Sequence, residues 1–157
     1  DPRPVTAHWL IKSEPGVYSI DDLAGDKTTA WEGVRNYQAR NFLRAMKKGD
    51  RALFYHSSAA RPAVVGAAEV AREAYPDPAQ FDPKSPYRDP GSKPEEPRWS
   101  RVDVRFLEKF PRPLSLEAIR GMAALKDMVL VKRGRLSVQP VKAAEWSRVL
   151  KACGSRP

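Results

Sequence analysis

The stretch Trp31-Glu32-Gly33-Val34-Arg35-Asn36-Tyr37-Gln38-Ala39-Arg40-Asn41-Phe42-Leu43-Arg44 contains a change of backbone regime. From Asn36 onward, Ala39, Phe42, Leu43 and Met46 recur at i, i+3, i+4 and i+7, the spacing of one helix face. Arg40, Arg44, Lys47 and Lys48 occupy another sector, so the helix offers one face to a core and a basic face to solvent. Gly49 stands where a C-terminal cap belongs. Trp31, Arg35, Asn36, Tyr37 and Gln38 crowd the helix start. That mixture suits stacking a base and binding its edge; it equally suits a buried Trp beneath an Asn-capped helix, and composition does not separate the two.

Upstream, His8–Lys12 reads as a strand that runs into Ser13-Glu14-Pro15-Gly16, a segment with turn chemistry. Ser19-Ile20-Asp21-Asp22 has the form of a capping box, with Asp replacing Glu, and opens a short helix through Leu23. Downstream, the β-rich runs Arg51–His56 and Ala63–Val70 flank a short connection and are expected to pair antiparallel. Val102, Val104 and Phe106 alternate with Asp103, Arg105 and Leu107, the period of a strand with one buried face. Leu116–Met122 reads as a short helix after Ser115, Val129–Val131 and Leu136–Val138 as brief extended pieces, and Lys142–Cys153 as a closing helix behind Pro140. One domain is expected over residues 8–153, with an N-terminal extension at 1–7 and a tail at 154–157.

A chain of 157 residues, 41% hydrophobic, has enough apolar side chains for one core. Its 28 Lys plus Arg against 19 Asp plus Glu leave a net +9, which favours a polyanionic partner. The charge is unevenly placed. Thr28–Pro62 holds seven basic and two acidic residues and Lys126–Lys142 five and one, so these two segments form the expected electrostatic footprint. Tyr75–Arg98 holds seven of the 15 prolines and a net charge of −1, and reads as a long loop of the kind that more often carries function than not.

With Cys153 the sole cysteine and only His8 and His56 as histidines, neither a disulfide within the chain nor a zinc site is expected. The glycine-rich dinucleotide, P-loop and nucleophile-elbow motifs are missing from the sequence. No apolar run approaches the roughly 20 residues of a membrane span, and the first residues do not resemble a signal peptide. A soluble, cytoplasmic monomer without a cofactor is expected, and the Ala, Arg and Pro content suggests a bacterial source with a GC-rich genome.

Three further segments carry polar chemistry. Lys12-Ser13-Glu14-Pro15 places an ammonium, a hydroxyl and a carboxylate either in a pocket or on a surface turn. Phe54-Tyr55-His56-Ser57 ends a strand in polar tips, and Arg98-Trp99 follows the long loop, where the Trp is either a stacking group or an anchor.

Together, the ordered strings WLIKSEP (9–15), WEGVRNYQARNFLR (31–44), GDRALFYHS (49–57), VVGAAEV (64–70), REAYPDP (72–78) with FDPKSPYRDP (81–90), PRWSRVDVRF (97–106) and GRLSVQPV (134–141) closely resemble the EVE-domain family over about residues 8 to 150. The resemblance implies an α+β, PUA-like fold, a small mixed β-barrel flanked by short helices and related to YTH and ASCH domains. It implies a non-catalytic nucleic-acid reader that accepts a modified base in a pocket, a modified cytosine in DNA being favoured and RNA the alternative. By further likeness to the aromatic cage of YTH domains, Trp99 and Trp31 resemble cage residues. The implied base pocket comprises Lys12, Ser13, Glu14, Trp31, Val34, Asn36, Tyr37, Tyr55, His56, Ser57, Trp99, Ser137 and Val138. Arg35, Arg40, Arg44, Lys47, Arg133 and Arg135 are the implied phosphate contacts. The competing enzymatic reading is an ASCH-like hydrolase of modified cytidine with Lys12, Ser13 and Glu69 as its working groups. It needs a partner that lowers the pKa of Lys12 or activates Ser13, and the sequence shows no such pairing. The remaining possibilities are a PUA-like RNA-binding or RNA-base-modifying protein, and a protein-interaction module, for which the sequence shows no exposed apolar patch.

Overall fold

The structure, a computed structural model, describes residues 7–155. Most of the expected N-terminal extension and the end of the expected tail lie outside the described residues. Six strands, β1 (His8–Ser13), β2 (Thr28–Trp31), β3 (Arg51–His56), β4 (Ala63–Pro76), β5 (Ser100–Ser115) and β6 (Val138–Val141), form one mixed sheet in the order β2-β5-β4-β3-β1-β6. β1 runs parallel to β3, and the other pairings are antiparallel. Helices α1 (Ile20–Asp26), α2 (Tyr37–Ala45), α3 (Leu116–Arg120), α4 (Val129–Lys132) and α5 (Ala143–Ala152) complete an α+β fold.

Both sheet faces are covered, which explains why Trp9-Leu10-Ile11 reads as an unbroken apolar run. Trp9, Ile11, Ala52 and Phe54 enter one core with Ile20 and Leu23 of α1 and Ala39, Leu43 and Met46 around α2. Leu10, Leu53 and Tyr55 enter a second core with Ile119, Leu130, Trp146 and Val149 from α3, α4 and α5.

Among the described residues the ladder does not close from β6 back to β2, so the expected barrel is an open but curled sheet. The curl comes from irregularities in β4 and β5, where the register shifts at several points. Pro111 and Pro113 fall within one of these, between the pairs Gly66–Lys109 and Val64–Leu114, so the missing N–H groups cost little ladder bonding. Gly66 admits close packing at the same place: a Cβ there would stand 2.5 Å from the Glu108 carbonyl oxygen and 2.7 Å from Ile20 Cδ1.

Several local expectations hold. Ser19 and Asp22 form the reciprocal capping box of α1, the Asn36 side chain accepts from Ala39 N to cap α2, and Ser115 caps α3. Others change. Thr28–Trp31, unassigned from sequence, is an edge strand on β5, and β5 runs on to Ser115. Val129–Val131 is helical, because a short apolar run does not reveal its own period and Leu130 is the residue turned into the core. β6 begins at Val138 rather than Leu136. Helix α2 ends at Ala45 with Met46 as its cap, and Gly49 (φ +95°) instead turns the chain into β3.

Candidate functional site

The carboxyl end of β1 lies beside that of β3, with Lys12 opposite Tyr55 and Ser13 opposite His56. Strand alternation sends Ser13 to the sheet face that carries Trp31 and Lys12 to the face that carries Tyr55. A cavity opens on each side. The first, about 510 Å³, is lined by Lys12, Ser13, Glu14, Trp31, Val34 and Ser137, and also by Val17, Tyr18, Thr29, Gly33, Arg35 and Tyr87. The second, about 500 Å³, shares Lys12, Ser13, Glu14 and Ser137 and adds Tyr55, Ser57 and Arg135. A third of about 280 Å³ lies between Asn36 and the Lys132–Leu136 turn, and brings Lys132, Arg133 and Arg135 together. Three strands separate β2 from β1 in the ladder, yet Trp31 and Ser13 line one cavity.

Local bonds fix the cavity walls. Lys12 Nζ donates to the Gly134 carbonyl at 2.5 Å and lies over the Tyr55 ring at 5.6 Å, and burial pulls its pKa below the ordinary lysine value. Ser13 Oγ donates to the Tyr18 carbonyl, while the Glu14 carbonyl accepts from Val17 N and Tyr18 N and shapes the Pro15–Tyr18 turn. Trp31 packs edge-on against Phe54 and Tyr18. Arg35 donates from Nε to the Tyr87 carbonyl and from Nη1 to the Val34 carbonyl and to Asp77 Oδ2, while its Nη2 is buried without a partner.

Other expected pocket residues are committed elsewhere. His56 Nε2 accepts from Ile20 N, and burial pulls the imidazole pKa below its ordinary value, so it ties α1 to β3. Val138 is fully buried core. Asn36 spends its side-chain oxygen on the α2 cap and faces the third cavity. Trp99 is 5% exposed: Tyr37 stacks on it at 4.9 Å, the Arg35 guanidinium lies 5.4 Å over it, and its Nε1 donates to Asp89 Oδ2 at 2.8 Å. It anchors the proline-rich segment and lines none of these three cavities, the anchor alternative of the two that its sequence position offered.

Of the six implied phosphate contacts, Arg133 and Arg135 line the third cavity and Arg35 the first. Arg40 and Arg44 reach the segment before β5: Arg40 Nη1 and Arg44 Nη2 donate to the Arg98 carbonyl, and Arg44 also bonds Ser100 Oγ and the Pro97 carbonyl. Lys47 is exposed at the far end of α2. Of the groups of the hydrolase reading, Lys12 and Ser13 line both larger cavities, whereas Glu69 pairs with Arg105 at 2.7 Å and is in neither lining.

The proline-rich segment is an ordered block. Asp77, fully buried, accepts from Gly33 N, Arg35 Nη1 and Ala79 N. Buried Gln80 donates to the Asp77 and Trp99 carbonyls and accepts from Ser92 Oγ and Trp99 N. Through this block Tyr87 reaches the mouth of the first cavity. Sequence reasoning missed Tyr87, Val17, Tyr18 and Gly33; the proline-rich composition was the available signal for Tyr87.

Comparison with known proteins gives these cavities a context. Residues 7–152 match the model of the EVE domain. Human thymocyte nuclear protein 1 is 45% identical over 165 residues, covering 93% of this chain and 73% of that protein. The crystal structure of human THYN1 protein in complex with 5-methylcytosine-containing DNA superposes with a TM-score of 0.91 at 44% identity, covering 97% of this chain and 100% of that one. A YTH domain from Zygosaccharomyces rouxii, solved with N6-methyladenosine RNA, reaches a TM-score of 0.57 at 16% identity and supports the PUA-like fold alone. With the family match running from the residue before β1 to the end of α5, across every strand that walls the cavities, this chain belongs to the EVE-domain family.

Proposed function

We propose that the chain is a non-catalytic reader of a modified base, a modified cytosine in DNA being favoured, and that the base enters the cavity between the end of β1 and Trp31. The observation that carries this reading is the 44% identity, over 97% of the chain, with a protein solved on 5-methylcytosine DNA. The cavity, at about 510 Å³, lies within the ordinary range for small-ligand sites. Extruding a base from a stack costs a few kcal/mol, and stacking on an aromatic ring returns roughly 1–3 kcal/mol. Burying one added methyl contributes only about 0.8 kcal/mol, so polar contacts must hold the base edge. In this reading Glu14, which lines the cavity, accepts from the exocyclic amine of a cytosine, and Lys12, which lines it too, turns an ammonium hydrogen not given to Gly134 to an acceptor on the same edge. Val34 and Trp31 supply the apolar wall. Arg133 and Arg135 hold flanking phosphates without reading sequence.

The test is a binding screen of matched oligonucleotides, DNA and RNA, each carrying one modified base. Tighter binding of DNA containing a modified cytosine is expected. Equal binding of modified and unmodified partners in every pair overturns the reading, and preference for a modified RNA transfers it to RNA. Any mass change in the bound nucleoside would restore an enzymatic reading.

A further inference from the structure

Two of the three large apolar side chains that the described residues leave exposed, Val17 at 72% and Tyr87 at 43%, lie at the rim of the first cavity. Tyr87 is held from behind. Its ring packs so closely on Gly33 (φ +82°) that a Cβ there would stand 2.9 Å from both Cε2 and Cζ. The Arg35 guanidinium lies 5.6 Å from the ring, and the backbone on either side of the ring is fixed: Tyr87 N donates to Ser85 Oγ and its carbonyl accepts from Arg35 Nε. An aromatic ring that is packed from behind, half-exposed and set at a cavity of about 510 Å³ carries little ordering cost when a ligand arrives.

The surrounding charge also fits a nucleic acid. Tyr75–Arg98 is net −1 by count, but three of its five acidic residues are engaged in hydrogen bonds, and the other two, Glu95 and Glu96, are exposed and lie eight and nine positions after Tyr87. Asp77 is buried on Gly33 N and Arg35, Asp82 accepts from Lys84 N, and Asp89 accepts from Trp99 and Arg98. Lys84 and Arg88, close to Tyr87 in the chain, are exposed. Tyr87 thus combines an aromatic ring at the cavity with Arg35 against that ring and exposed cations one and three positions away in the chain, the combination that tracks a nucleic-acid strand.

We propose that Tyr87 is the stacking shelf for the nucleobase adjacent to the one taken into the cavity, a second base subsite supplied by the proline-rich segment. The inference rests on the modified-base reading of the cavity. A base that leaves its stack strips its neighbour of one stacking partner, and the Tyr87 ring replaces that partner at the opening. At the rim of the pocket, the shelf stacks on the neighbouring base and contributes affinity without reading the modification.

The experiment compares wild type, Tyr87→Ala and Tyr87→Phe on a DNA oligonucleotide with one 5-methylcytosine, its unmethylated twin, and two methylated oligonucleotides with an abasic residue on the 5′ or the 3′ side of the methylated base. Tyr87→Ala should weaken binding of the intact methylated and unmethylated DNA by a similar factor, about 5-fold to 150-fold, while Tyr87→Phe stays near wild type. For one of the two abasic oligonucleotides, wild type should fall to the level of Tyr87→Ala and the substitution should cost nothing more. Unchanged binding by Tyr87→Ala overturns the shelf, as does a loss that persists on both abasic oligonucleotides or one confined to methylated DNA. If wild type fails to prefer methylated DNA while Tyr87→Ala still weakens both intact oligonucleotides, the cavity reading fails and the stacking role survives. The two failures are thus distinguishable.

Discussion

The buried carboxylate of Asp77 stands 3.1 Å from Arg35 Nη1 and also accepts from Gly33 N, so the start of the proline-rich segment and the cavity wall after β2 form one unit. Replacing Asp77 by Ala leaves the Gly33 and Ala79 amides and the Arg35 guanidinium without their acceptor. Loss of about 3 kcal/mol or more is expected. Denaturant unfolding measures it; a variant as stable as wild type would show that the pairing contributes nothing net.

Trp99→Ala should lower stability by about 3–5 kcal/mol whether or not nucleic acid is present, as expected for truncating a buried Trp. Trp99→Phe isolates the indole hydrogen bond, which is the largest cause holding the Asp89 carboxyl below its ordinary value of 3.8. Because the folded value is the lower one, this contribution is present above pH 3.8 and is lost as the pH falls through the folded value. In Trp99→Phe the Asp89 midpoint should rise toward 3.8, as read by carboxyl-carbon NMR; an unmoved midpoint refutes the assignment.

The two groups of cations should separate by readout. Neutralising Lys132, Arg133 and Arg135 together should weaken methylated and unmethylated DNA alike, and flatten the dependence of log affinity on log salt by roughly 0.9 for each phosphate that is no longer neutralised. Neutralising Arg40 and Arg44 should lower the melting temperature, since their guanidinium groups hold the backbone at Pro97 and Arg98. A salt slope that responds only to the second pair would reverse the assignment.

Gly66→Ala tests the packing of α1 on the curled sheet. Its Cβ meets the Glu108 backbone, which cannot rotate away, and Ile20 at the start of α1. A loss of about 1–3 kcal/mol is expected from overpacking, and unchanged stability would mean that β5 moves aside freely.

Local rules already contained much of the fold. The capping box at Ser19, the Asn36 cap, the 3.6-residue period of α2 and the pairing of β3 with β4 each depend on residues within a few positions of one another, so they are legible in order along the chain. The electrostatic footprint at 126–142 and the polar end of β1 were likewise visible, and the tertiary structure joins them at the cavities. Edge strand β2 was not legible, because Thr28–Trp31 is a strand only through its pairing with residues 102–105. Nor was the fate of the aromatics: the residues beside Trp31, Tyr87 and Trp99 do not say which ring is buried, and the hydrogen bonds of Asp77, Gln80 and Asp89 set Tyr87 at the rim and Trp99 inside. Composition and periodicity therefore determined the regular elements, their apolar faces and the basic segments of this protein. Which of them face a common cavity was decided by the curl of the sheet and the long-range bonds of one loop, since a side chain's direction depends on partners tens of residues away.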